Sequence, residues 1–154
     1  MSLKKAFGTN KTKEENGTWI NVCVNDDGSI CRMRLARMTS RNKHFMAKIA
    51  KINKANRGTT IRKNATPTVA EDDVKKAIDV FVETILLGWE HVEEYRKEKL
   101  PAFPSPGKIA EMEFNFENAT FLLTDLPDLF ELLTGEATKL ENFQDEIDTE
   151  AVKN

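Results

Sequence analysis

The sequence predicts an α+β domain, mostly helical, with an N-terminal β-hairpin or small antiparallel sheet followed by four or so α-helices. Three observations carry that expectation. Residues 18–38 alternate side-chain character at the two-residue period of a half-buried strand, broken once by Asn25-Asp26-Asp27-Gly28. Residues 68–88 place apolar side chains three and four apart, the period of an amphipathic helix. Residues 116–143 do so twice, on either side of Asp125-Leu126-Pro127.

The chain has 154 residues, enough for one domain that buries roughly 68–70% of its unfolded surface. It is 40% hydrophobic and 31% charged, in the range of globular proteins. No apolar run approaches the ~18 residues a membrane helix needs. The opening MSLKKAFGTNKTKEENG is charged without an apolar stretch, unlike a secretion signal. Residues 1–66 hold fifteen Lys and Arg against four Asp and Glu, while residues 67–154 hold eight against twenty-one. A net charge of −2 therefore conceals a basic first half and an acidic second half. They either neutralise each other in the fold or offer opposite faces to partners.

Residues 1–17 are polar and rich in Gly and Asn, and read as a flexible arm. In TWINVCV, Thr18, Ile20, Val22 and Val24 alternate with Trp19, Asn21 and Cys23. After a turn around Gly28, Cys31, Met33 and Leu35 oppose Arg32 and Arg34, giving a hairpin over 18–38 with one wet, basic face. Two strands alone are marginal, so helices must pack on the hairpin or further strands extend it. Cys23 and Cys31 both fall in it. Reduced, packed thiols are expected; a bridge across the hairpin is the alternative, and no neighbouring histidines make a zinc site.

Ser40 is placed to cap a helix over 41–57, with Phe45, Ile49 and Ile52 as its apolar line and Gly58 as its stop. Residues 58–67 read as a polar loop. Thr68-Val69-Ala70-Glu71 forms a capping box for a helix over 68–88, with Val74, Ile78, Phe81 and Ile85 as its stripe. Residues 90–99 can continue as a charged helix, and LPAFPSPG (100–107) cannot, since prolines interrupt it. A helix over 116–124 follows, then one over 126–143 lined by Leu126, Phe130, Leu133, Ala137 and Leu140. Asp125 is placed to cap the latter, and Pro127 suits its first turn. Gly135 inside it costs about 1 kcal/mol relative to Ala. Residues 144–154 form an acidic tail.

No catalytic constellation emerges. There is no phosphate-binding glycine loop, paired-histidine helix or serine elbow, and His44 and His91 are isolated from each other and from cysteine. No cofactor, metal or catalytic residue is expected, and the chain is not read as an enzyme. Two binding surfaces can be named. The candidate partner-binding residues are Trp89, Leu129, Phe130 and Leu133, for which core packing is the competing role. The basic surface is Arg32, Arg34, Arg41, Lys48 and Lys51, which could track a phosphate backbone in a small nucleic-acid-binding regulator. Against that, aromatics do not interleave with these cations, so stacking on single strands is poorly supported.

The order of several segments resembles phage tail assembly chaperones of long-tailed phages and prophages. The matching pieces are MSLKKAFGTNKTKEENGTWI, RLARMTSRNKHF, ETILLGWEHV, FENATFLLTDLPDLFELLTGEATKLENF and the terminal KN. Residues 93–116 are longer than the short polar loop of such proteins. The resemblance implies a non-enzymatic role in the bacterial host cytoplasm, with the tape-measure protein and the tail-tube protein as partners. It further implies absence from the mature virion, and is compatible with a homo-oligomer and a frameshifted longer form.

Overall fold

The computed structural model describes residues 2–56 and 71–144. The α+β class stands: helices pack on a three-stranded antiparallel sheet of order β1-β2-β3, formed by Thr18–Val24, Ile30–Leu35 and Leu86–Glu90. The helices are α1 (Leu3–Phe7), α2 (Lys11–Asn16), α3 (Lys43–Asn56), α4 (Glu71–Thr84), α5 (Phe116–Asp125) and α6 (Pro127–Thr138). The Gly58 stop, the 58–67 loop, the Thr68 end of the capping box and the 145–154 tail lie outside the described residues.

The expected arm is instead two short helices tied to the far end of the chain. Asn10 caps α2 by accepting from the backbone N–H groups of Thr12 and Lys13. Its own N–H donates to the carbonyl of Phe143 at 2.7 Å. Gln144 Nε2 donates to the carbonyls of Ala6 and Gly8 at 3.0 and 3.2 Å. The small polar residues that suggest mobility are the ones that cap and stitch. Gly17 ends α2 at φ +88°, ψ 163°, a region open essentially only to glycine. A Cβ there would lie 2.8 Å from Arg34 Cγ and 2.9 Å from Leu87 Cδ1.

The hairpin forms with β2 ending at Leu35 rather than Met38. Ile20 opposes Met33, and Thr18 opposes Leu35, on the face turned to the core. The helix expected over 68–88 ends at Thr84, and the following residues become β3. Leu86 pairs with Leu35 and Trp89 with Met33. The exposed ladder edge of β2 needs partners for its N–H and C=O groups, and a strand supplies them where more helix could not. No helix runs over 90–99; only Lys97–Lys99 make a single 3₁₀ turn.

α3 begins at Lys43, and Asn42, not Ser40, caps it: its Oδ1 accepts from the Phe45 N–H at 3.1 Å. The last expected helix, 126–143, stops at Thr138 and resumes as a 3₁₀ turn over Leu140–Phe143. Pro127 occupies its first turn as expected, but Asp125 does not cap it. The Asp125 carboxylate instead accepts the Tyr95 hydroxyl at 2.5 Å.

The long 92–115 segment doubles back on itself. The Met112 N–H donates to the Val92 carbonyl at 2.7 Å, and the Glu94 N–H to the Ala110 carbonyl at 2.8 Å. Its base rests on the hairpin turn, where Asp27 accepts from the Ile109 N–H and Asn25 donates to the His91 carbonyl. The core gathers Met33 and Leu35 from the sheet, Phe81 from α4, Ile85 from the turn that follows it, Leu123 from α5 and Leu133 from α6, all fully buried. Phe81 meets Phe130 edge-on, with centroids 5.4 Å apart, a favoured aromatic geometry.

Candidate partner-binding groove

α3 carries an apolar line that is only partly buried. Phe45, Ile49 and Ile52 are each only half-buried, and Met46 beside them is exposed. They face the first half of α4, where Val74 is 45% exposed and Ala77 is also open, although helical spacing places Val74 in the buried stripe. Only from Ile78 onward does α4 enter the core. Residues of α3, α4 and α6 together line an open hollow here.

The resulting groove has a volume of about 490 Å³. Its floor is Met38, Phe45, Ile49, Ile52, Val80 and Phe130. Asp73 and Lys76 stand at its margin. Lys48 on α3 meets Glu83 on α4 at 2.6 Å, pinning the two helices. Lys51 and Lys54 are exposed on α3. Open apolar grooves can accept the apolar face of an amphipathic helix, and exposed apolar surface on a small domain commonly marks an interaction site.

The structure separates the four candidate partner-binding residues. Phe130 lines the groove and Leu129 is half-buried against the core. Leu133 is fully buried. Trp89 is buried too: its Nε1 donates to the Met112 carbonyl at 2.9 Å, and its ring meets Phe114 edge-on at 5.0 Å. Trp89 and Leu133 therefore serve the domain's own packing in this conformation. The residues missed are Met38, Phe45, Ile49, Ile52 and Val80. Their helical spacing is visible, but spacing is the same for a stripe that is covered and one that is not.

The basic residues are largely matched by acidic ones. Arg32 pairs with Glu90 at 2.6 Å and Arg41 with Glu14 at 3.6 Å, in addition to Lys48 with Glu83. Two of these three pairs, Arg32 with Glu90 and Lys48 with Glu83, join the basic first half to the acidic second half at the surface. The expectation of no interleaved aromatic is corrected: Arg32 and Arg34 lie over Trp19, at 5.2 and 5.8 Å from its ring. Strand pairing brings them together, since Trp19 opposes Arg34 in the ladder.

A second hollow, about 640 Å³, lies under the 92–112 segment and is bordered by Asp26, Asp27, Glu93, Glu94 and Tyr95. Asp27 and Glu94 are engaged: Asp27 holds Ser29 and Ile109, and Glu94 holds Arg96. Hydrogen bonds from Ser29 chiefly drive the Asp27 carboxyl down to about 2. Among the described residues, no three His, Cys, Asp or Glu converge as a metal site, and no helix is long and apolar enough to cross a membrane.

Fold and groove together describe a small α+β protein with an open apolar cleft lined by α3, α4 and α6. The sequence profile of the family described as YdaY prophage protein matches residues 36–154. That span covers most of the chain, and the protein belongs to this prophage family. The match begins immediately after β2, so α1, α2 and the hairpin strands lie outside it. No curated protein and no solved structure matches the chain.

Proposed function

We propose that this prophage protein is a non-enzymatic tail assembly chaperone that holds the tape-measure protein and helps recruit tail-tube subunits around it. The observation that carries this reading is the open apolar groove between α3, α4 and α6. A tape-measure protein is a long helical chain whose apolar seams need cover before assembly. The groove offers a matching trough, and the exposed Lys51 and Lys54 favour acidic residues flanking the seam. The family membership supports the setting, and the ordered segments described above support the tail-assembly role. The rival reading, a nucleic-acid-binding regulator, is weakened because Arg32, Arg41 and Lys48 already face carboxylates within the fold.

The test is co-expression with the tape-measure protein of the same prophage. The reading predicts a higher soluble yield of that protein and its co-purification with this one. Unchanged yield together with no co-purification contradicts it.

A further inference from the structure

The hairpin contains a bulge with a chemical consequence. From Thr18 to Asn21 the two strands run in one register, with Ile20 opposite Met33 and Asn21 opposite Arg32. Without interruption, Val22 would face Cys31, and Cys23 would face Ile30 on the wet side. The register slips by one residue between Asn21 and Cys23, so Cys23 stands directly opposite Cys31. Bulges re-aim side chains in this way and concentrate at sheet edges and functional sites. β1 is an edge strand, so the bulge brings an accessible thiol to a buried one: Cys23 is exposed and Cys31 is 5% exposed.

Directly opposed residues in an antiparallel ladder have Cα atoms roughly 4.5 to 5.5 Å apart. Both values lie within the roughly 4.4–6.8 Å span that a disulfide bridges without backbone movement. We propose that Cys23 and Cys31 form a redox-active dithiol that closes to an intramolecular disulfide, with a low-molecular-weight disulfide such as glutathione disulfide as oxidant. The two sulfurs have distinct roles. Burial first, then the neighbouring Cys23, pushes the Cys31 thiol up to about 12, so it stays protonated at neutral pH. Cys23, open to solvent, is the attacking sulfur.

The Cys23 thiolate displaces one glutathione thiolate from the oxidant and forms a mixed disulfide. That departing thiolate is protonated from solvent, and Cys31 gives up its own proton to solvent as its sulfur attacks. Cys31 sulfur then attacks Cys23 sulfur and expels the second glutathione. The protein loses two electrons and two protons, and one disulfide is reduced to two thiols. The closed bridge would staple the turn whose Asn25 and Asp27 hold the 92–112 segment.

The full chain is incubated across a series of glutathione to glutathione disulfide ratios, then read by intact mass and thiol counting. The expected result is a monomer lighter by two hydrogens, both thiols disappearing together, and no retained glutathione. Cys31→Ser should stop with one glutathione on Cys23, and Cys23→Ser should take none. Three outcomes overturn the proposal: a wild-type chain that stops as the Cys23 adduct, one that cross-links to a second copy, or one that keeps both thiols under strongly oxidising ratios.

Discussion

Arg96 grips Glu94 with both sides of its guanidinium: Nε donates to Oε1 at 2.7 Å and Nη2 to Oε2 at 2.8 Å. The Arg96 backbone N–H adds a third bond to Oε1. The same guanidinium lies 4.5 Å from the Phe121 ring centroid, and its Nη2 reaches Asn118 Oδ1. One pair thus fastens the 92–112 segment to α5. The hydrogen bond from Arg96, ahead of every other cause, holds the Glu94 carboxyl below its ordinary 4.5.

A value lower in the folded chain than in the unfolded one stabilises the folded chain above the ordinary carboxyl range. That stabilisation is lost as pH falls below about 4.5 and through the depressed value. Arg96→Ala should therefore lower the urea midpoint at pH 7 and flatten its fall between pH 7 and 3. Arg96→Lys should recover only part, because an ammonium cannot hold both carboxylate oxygens at once. Parallel wild-type and variant pH series, measured by tryptophan fluorescence, check this.

Phe81 closes the core between α4 and α6, fully buried and edge-on to Phe130. Phe81→Ala should cost about 3–5 kcal/mol in a urea titration. A loss under about 1 kcal/mol would mean that the site collapses or that the ring is not in the core.

Two glycines should respond in opposite directions. Gly17→Ala forces a side chain into a glycine-only conformation and against Arg34 and Leu87, and should destabilise by about 1–3 kcal/mol. Gly135 sits in the interior of α6, and an alanine Cβ there would meet no atom within 4 Å. Gly135→Ala should therefore stabilise by up to about 1 kcal/mol. Thermal melts of both variants check the pair.

Ile49 and Ile52 line the groove yet are only half-buried. Ile49→Asp should keep the circular-dichroism spectrum and weaken tape-measure capture at least about tenfold, or about 1.4 kcal/mol. Loss of fold with loss of capture would place Ile49 in the core instead.

The sequence revealed the elements whose periodicity and local chemistry agree. The hairpin, Phe81's helix and Pro127's first turn follow from alternation, spacing and the cost of a lost N–H. It did not reveal β3, because Leu86, Leu87, Gly88 and Trp89 continue an apolar run that fits helix and strand alike. Nor did it reveal the N-terminal seam, where Asn10 meets Phe143 across most of the chain. The Asp125 cap failed for a related reason: Tyr95, thirty residues earlier, competes for the carboxylate. The groove was half legible. Its apolar residues could be read from spacing, but their exposure depends on how α3 and α4 pack against the rest of the fold, which no local pattern encodes.

In the proposed complex a helix of the tape-measure protein lies in the cleft between α3, α4 and α6. The most direct measurement is a titration of the isotope-labelled chain with a tape-measure fragment, followed by NMR chemical shifts. The largest changes are expected at Met38, Phe45, Ile49, Ile52, Val80 and Phe130, with β1 and the Trp19 face unaffected. Changes confined to the sheet face, or no change at saturating fragment, would contradict it.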